Sequence, residues 1–505
     1  MTFTAGLAKL LLAVLAVLIC VPGAYAQSAT AGSEAALKAW GFDRGGLTPH
    51  PGVRFGMLPN GMRYALMGNA VPAGSLSVRL HVDAGSVVDG DGEQGQMHVL
   101  EHLIFHGTAN LPEGSLPLTL AQRGLERWTD FSAFTSFDET AYRLDLSRAD
   151  RGSRATALML MREIASHLSF TRRAVEGAKR KVCEEIRARD AVQDRMATAQ
   201  NAFFMPGTPI ARGPVAGTQA SVKRASGVAL RRLYERHYVP ARSTLVLVGD
   251  FDPDAVEPEI IARFADWQAR GSPVSEHTHP AIRGARGTET RLFVDPAAAT
   301  GIVIAAVEPL GAADTGARRD AHFLEHLGGE MLNRRLARIG AQADAPFASA
   351  NAAVYDHFST VRLARIEVAA TGRDWRRALQ GGALALRRAV AHGFAQSELD
   401  EQLAASRRAS VSNRVPQTSS ALADAIVDSV GRKILFTVPA GPAANHAYLG
   451  QVRLAEVNAA FRSAWASPAR LIFVSHNRPI PRAEAAIAAA WTASVRASAP
   501  VADAH

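Results

Sequence analysis

Apolar residues take alternate places along SLSVRLHVDAG (Ser75 to Gly85) from Leu76 onward, the period of two expected of a half-buried strand. TGIVIAAVEPLG, from Thr300, also reads as a strand. Each is followed by a predicted helix of closely related sequence, HVLEHLIFHGT from His98 and HFLEHLGGEMLNRRL from His322. STLVLVGDFDPDAV, from Ser243, and ARLIFVSHNRP, from Ala469, both read as a β-branched strand running into a turn. The first of these turns then opens a helix with Asp252 or Asp254 near its start. The spacing repeats: His326 lies 224 positions after His102, and Phe394 in HGFAQSEL lies 224 after Phe170 in LSFTRRAV. Two copies of one unit of mixed helix and strand are implied, an α+β fold. Between them, 269–289 is rich in Gly, Pro, Ser and His without periodicity and reads as a linker. The expected organisation is a leader over 1–26, an N-terminal unit over 27–268, this linker, and a homologous unit over 290–505. The alanine-rich stretch after Pro481 predicts a further helix.

The leader has the three parts of a secretory signal: Lys9, the unbroken apolar run Leu10 to Ile19, and the small-x-small site Ala24-Tyr25-Ala26 before Gln27. That run, closed by Pro22-Gly23, is too short for a bilayer span, which needs about 20 apolar residues. Export, most naturally to a bacterial periplasm, is expected, with no membrane span after cleavage. Ile19 precedes Cys20 where a lipoprotein signal has a small residue, so no lipid anchor is expected. Cleavage leaves Cys183 as the one cysteine, so stability must come from a core and not from a disulfide. Lys and Arg number 56 against 47 Asp and Glu, a net charge of +9. The basic residues are scattered without interleaved aromatics, which argues against nucleic acid and favours acidic surfaces or substrates.

HVLEH places three polar side chains on an otherwise apolar helix. Positions i, i+3 and i+4 share a face, so His98, Glu101 and His102 point into one space. Two imidazoles one turn apart are a standard grip on zinc, and a neighbouring glutamate can act on water held at the metal. The competing reading of the pair alone is two buried histidines bonded to backbone carbonyls. A catalytic zinc needs a third protein ligand. In FTRRAVEGAKRKVCEEIRARD, Val175, Ala178, Val182 and Ile186 form an apolar stripe, with Glu185 beside it and Glu184 on the far side among Arg180 and Lys181. Glu185 is therefore the expected third ligand. His106 lies about 12 Å along the helix axis from His98 at about 1.5 Å per residue, so one ion cannot take both, and His106 is at most a pocket residue. Cys183 flanks the stripe and reads as a small core residue.

GEQGQMHVLEHLIFHGT, SAFTSFDETAYRLDL, RKVCEEIRARD and YVPARSTLVLVGDFDPDAV, in this order, resemble the insulinase/pitrilysin family of inverted-motif zinc peptidases. The likeness is greatest to short bacterial members similar to the mitochondrial processing peptidase. MLNRRL, APFASANA and RVPQTSSALADAI are similar to that family's second, non-catalytic domain. The resemblance implies two homologous αβ-roll domains, mostly antiparallel sheets covered by helices, forming half of a clamshell. It implies one Zn2+ held by His98, His102 and Glu185, Glu101 as general base, and peptide substrates that add a strand along Ser132, Ala133 and Phe134. The other half would come from a second copy, giving a homodimer, or from a homologous companion chain. Three features depart from the family pattern. Ala178 stands where a further glutamate is usual, with Glu176 off register; Ser132-Ala133 replaces Asn-Ala; and the gap from His102 to Glu185 is longer, with LSRADRGSR from Leu146 able to absorb the excess.

HFLEH repeats the motif at His322, Glu325 and His326, but the counterpart of Glu185 is Ala409, and Glu401 lies two turns away. A packed helix without metal is expected there. The function that follows is zinc-dependent hydrolysis of peptides or small unfolded proteins in the cell envelope. The alternative is a non-hydrolytic peptide-binding or assembly subunit, which Ala178 keeps open.

Overall fold

A computed structural model describes residues 32–121, 130–189, 191–270, 286–310, 314–412, 416–437, 448–467 and 469–497. The expected leader and most of the expected linker lie outside them. Eleven strands form two sheets among these residues. The first contains β1 (Val53–Met57), β2 (Arg63–Gly68), β3 (Leu76–Val82), β4 (Phe131–Thr135), β5 (Thr140–Leu146) and β6 (Ser243–Gly249), in the order β1-β2-β6-β3-β5-β4. The second contains β7 (Glu289–Val294), β8 (Gly301–Pro309), β9 (Ser349–His357), β10 (Val361–Ala369) and β11 (Leu471–His476), in the order β7-β11-β8-β10-β9. Apart from β1 the two orders correspond strand for strand, as the repeat of 224 residues anticipated. Every pairing is antiparallel except β2 with β6 and β7 with β11. The second unit begins one residue earlier than the sequence reading placed it: Glu289 already pairs with Leu471 at the start of β7.

β3 shows why the first sheet is central. Its alternation reads as half-buried, yet all seven residues are buried, because both faces are covered. Leu76, Val78, Leu80 and Val82 pack into a large core with helices α1 (Gln96–Leu103) and α2 (Arg172–Ala188). The intervening residues face the other way, toward a helix of the C-terminal half. Five helices of that half cover one face of the second sheet, including α4 (Gly316–Gly340) and the Ala483–Arg496 helix anticipated from composition.

The opposite faces are covered by exchange. Helix α3 (Val192–Phe204), from the first half, sets Phe203 and Phe204 against Val303, Ala305, Leu363 and Phe473 of the second sheet. Helix α5 (Ser419–Gly431), from the second half, sets Leu422, Ala423, Ile426 and Val427 against Val246, Val248 and Phe55 of the first. Arg79 on β3 is fully buried at this second contact. Its guanidinium donates to Asp424 at 2.7 Å, to Asp145 at 2.9 and 3.1 Å, and to the Ser420 hydroxyl at 2.8 Å.

Candidate metal centre

Helix α1 packs on one face of the first sheet, buried along its whole length. Gly95 precedes it with φ +93°, a conformation L side chains rarely adopt, and a Cβ there would press on the Ala216 backbone. The helix start has no side-chain cap of its own. Asp89 supplies one from the preceding loop: Oδ2 accepts from Gly95 N at 2.8 Å and Oδ1 from Met97 N at 3.1 Å. Burial pushes the Asp89 carboxyl up to about 7.

The three expected ligands converge. His98 Nε2 and His102 Nε2 are 3.2 Å apart, and each lies 3.5 Å from an oxygen of Glu185 on α2. A tetrahedral zinc with bonds of about 2.0–2.2 Å has ligand-to-ligand edges of about 3.3–3.6 Å, so this spacing suits such an ion. Burial, with His102 beside it, pulls His98 down to about 3, so its ring is neutral at physiological pH, as a metal ligand must be. The His102 imidazole draws Glu185 down to about 2, keeping it ionised. Among the described residues no other group of three His, Cys, Asp or Glu side chains comes together in this way.

Glu184 is exposed and faces Lys181, as the stripe on α2 required. Cys183 is buried, and Ala178 is fully buried in the core. The α-helical turn ends at Leu103, and Ile104–His106 continues as a 3-10 turn. His106 then lies over Gly177 of α2, where a Cβ would come within 2.5 Å of its Cε1, away from the three ligands.

Glu101 is buried, and that burial raises its pKa above the usual carboxylate value. Its Oε2 lies 3.8 Å from His98 Nε2 and accepts a hydrogen bond from Thr135 Oγ1 at 2.7 Å. Thr135 ends β4, the edge of the first sheet, and this contact was missed in the sequence. The signal was present: Phe131, Ala133 and Thr135 alternate onto one face, and Phe131 and Ala133 pack into the core that holds α1. Phe134 points the other way, under the Arg143 guanidinium and toward α5.

The second motif is engaged otherwise. Glu325 accepts from Arg362, which also pairs with Asp356 at 2.7 Å. Burial, with Arg362 and Arg318 nearby, pulls His322 down to about 4. Glu401 is held by Arg334 at 2.8 Å and Arg338 at 2.9 Å. Among the described residues no third His, Cys, Asp or Glu side chain joins these histidines in a cluster.

Residues 64–208 match the insulinase domain of peptidase family M16, and residues 227–406 match the domain described as the M16 inactive domain. The chain belongs to the M16, or insulinase, family. The M16 relatives include the probable zinc protease PqqL of Haemophilus influenzae, 23% identical over 444 residues, which covers 86% of this chain and 47% of that protein. The chain thus spans about half the length of this curated relative. The first half of the periplasmic protease PqqL from Escherichia coli superposes with a TM-score of 0.79 at 19% identity, over 90% of this chain and 99% of that one. Pitrilysin superposes with a TM-score of 0.64 at 16% identity, over 88% of this chain and 48% of its own. These likenesses show the fold of two homologous M16 domains. No described helix is long and apolar enough to cross a membrane.

Proposed function

We propose that this chain is a zinc-dependent endopeptidase that hydrolyses peptides or small unfolded proteins in the bacterial cell envelope. The observation that carries the reading is the convergence of His98, His102 and Glu185 beside a buried Glu101. Zinc held by those three residues would supply Lewis acidity, acidifying a water and polarising the scissile carbonyl. Glu101 takes the proton of the attacking water and passes it to the leaving amine. Its burial on α1 keeps competing solvent away from the carboxylate. The free edge of β4 receives the peptide as an added strand, with Ser132, Ala133 and Phe134 contributing main-chain hydrogen bonds. A periplasmic setting accords with the expected leader and with the E. coli protease, which is described as periplasmic. The likeness to the first half of that protease supports completion of the chamber by a second copy or a homologous companion.

The test combines metal analysis with cleavage of a quenched peptide library. Wild type should carry one zinc per chain and lose activity to a chelator. Glu101→Gln should keep the zinc and lose roughly 100-fold or more in kcat, the usual scale for a general base. Full turnover by that variant, or a wild type that is inert and zinc-free, would overturn the assignment; the second result favours the binding-subunit alternative.

A further inference from the structure

Thr135 does more than satisfy a buried carboxylate. Its hydroxyl donates to Glu101 Oε2 at 2.7 Å, and both partners sit on elements fixed by one short segment. On the strand side, Ser86 N donates to Ser136 O at 3.0 Å and Val87 N to Phe137 O at 2.9 Å, which pins the tip of the β4–β5 hairpin just past Thr135. Gly85 permits that approach, since a Cβ there would lie 2.6 Å from the Phe137 carbonyl carbon. On the helix side, Asp89, at the end of the same segment, caps α1 through Gly95 and Met97. The stretch 85–89 therefore holds the donor on β4 and the acceptor on α1 in a set relation. The free edge of β4 is also where the proposed substrate strand adds.

We propose that Thr135 is a positioning residue: its hydroxyl fixes the Glu101 carboxylate in the orientation that accepts the proton, linking the substrate-bearing strand to the base. This rests on the peptidase reading above. A hydrogen bond to a charged group aligns the acceptor as well as stabilising it, so its loss should appear in turnover and not in binding. The hydroxyl, not the methyl, is the operative group.

The experiment compares Thr135→Val, which keeps the shape without the hydroxyl, with Thr135→Ser, which keeps the hydroxyl. Each is measured for kcat, KM, zinc content and melting temperature alongside wild type and Glu101→Gln. Thr135→Val should lose roughly 10- to 100-fold in kcat, the range set by one charge-assisted hydrogen bond, with KM within about two-fold and one zinc retained. Thr135→Ser should keep kcat within about three-fold of wild type. In the Glu101→Gln background the valine change should lower the residual rate little, because the two residues act as a unit. Undiminished kcat in Thr135→Val, or equal damage in both variants, would overturn the positioning role while leaving the peptidase reading intact. An inert wild type would overturn that reading, and the positioning role with it.

Discussion

Burial sets the chemistry around α1, and Asp89→Asn tests how strongly. The folded protein holds this carboxyl at about 7 against an ordinary value of 3.8, because it is buried. In the unfolded chain the proton leaves as pH rises through 3.8; in the folded chain it stays until about 7. The folded state thus binds more protons across that window, and stability falls as pH rises through it. At about 1.36 kcal/mol per pH unit, the difference amounts to about 4 kcal/mol, all of it present below the lower value and lost above the higher one. Asparagine cannot ionise, and with one acceptor oxygen it keeps only one of the two backbone bonds, a pH-independent loss of about 1–3 kcal/mol. Urea unfolding of both proteins at intervals from about pH 4 to 8, at fixed free zinc, isolates the effect, since titrations common to both cancel. The difference should move by about 4 kcal/mol in favour of Asp89→Asn as pH rises. A difference that is flat in pH, or that moves toward wild type, would show that burial does not raise this carboxyl.

Other expectations follow from the same geometry. Gly85→Ala forces a Cβ to 2.6 Å from the Phe137 carbonyl carbon, so the hairpin tip must shift; a loss of about 1–3 kcal/mol in unfolding and a fall in kcat should accompany it. Arg79→Met removes the guanidinium that Asp145 and Asp424 share, but Asp424 keeps Arg143 at 3.4 Å, Asp145 keeps the Ser420 hydroxyl at 3.0 Å, and both keep about a third of their side-chain exposure (34%). The cost should therefore fall below that of an enclosed pair, about 1–3 kcal/mol in denaturant unfolding, without change in zinc content. The double variant His322→Ala, His326→Ala should still bind one zinc and cleave peptide normally; a second zinc in wild type that this variant loses would contradict the arrangement around Arg362.

The convergence of His98, His102 and Glu185 was legible because each position depends on local periodicity. One turn of helix aligns His98, Glu101 and His102, and the stripe on α2 separates Glu185 from Glu184 without reference to anything distant. The repeat foreshadowed that the two sheets would correspond, but neither their strand order nor their register. Asp89 escaped notice because it caps the helix from six residues before Gly95, outside the positions where a capping residue is sought in sequence. Thr135 escaped because the alternation of Phe131, Ala133 and Thr135 gave its face but not its partner, which only tertiary packing brings near. The full burial of β3 had the same origin: its polar residues Ser77, Arg79 and His81 suggested a solvent face, which α5 in fact covers. His106 was set apart from His98 and His102 on helical rise alone, and it packs over Gly177 of α2.

The reciprocal loan of α3 and α5 makes the two halves hostages to each other. Cutting the chain between them would strip an oily sheet face on either fragment, baring Val246 and Val248 on one and Val303 and Phe473 on the other. Among the described residues the second half gathers no cluster like that of His98, His102 and Glu185, yet it clasps the sheet face opposite that cluster, and removing it would unroof the first sheet.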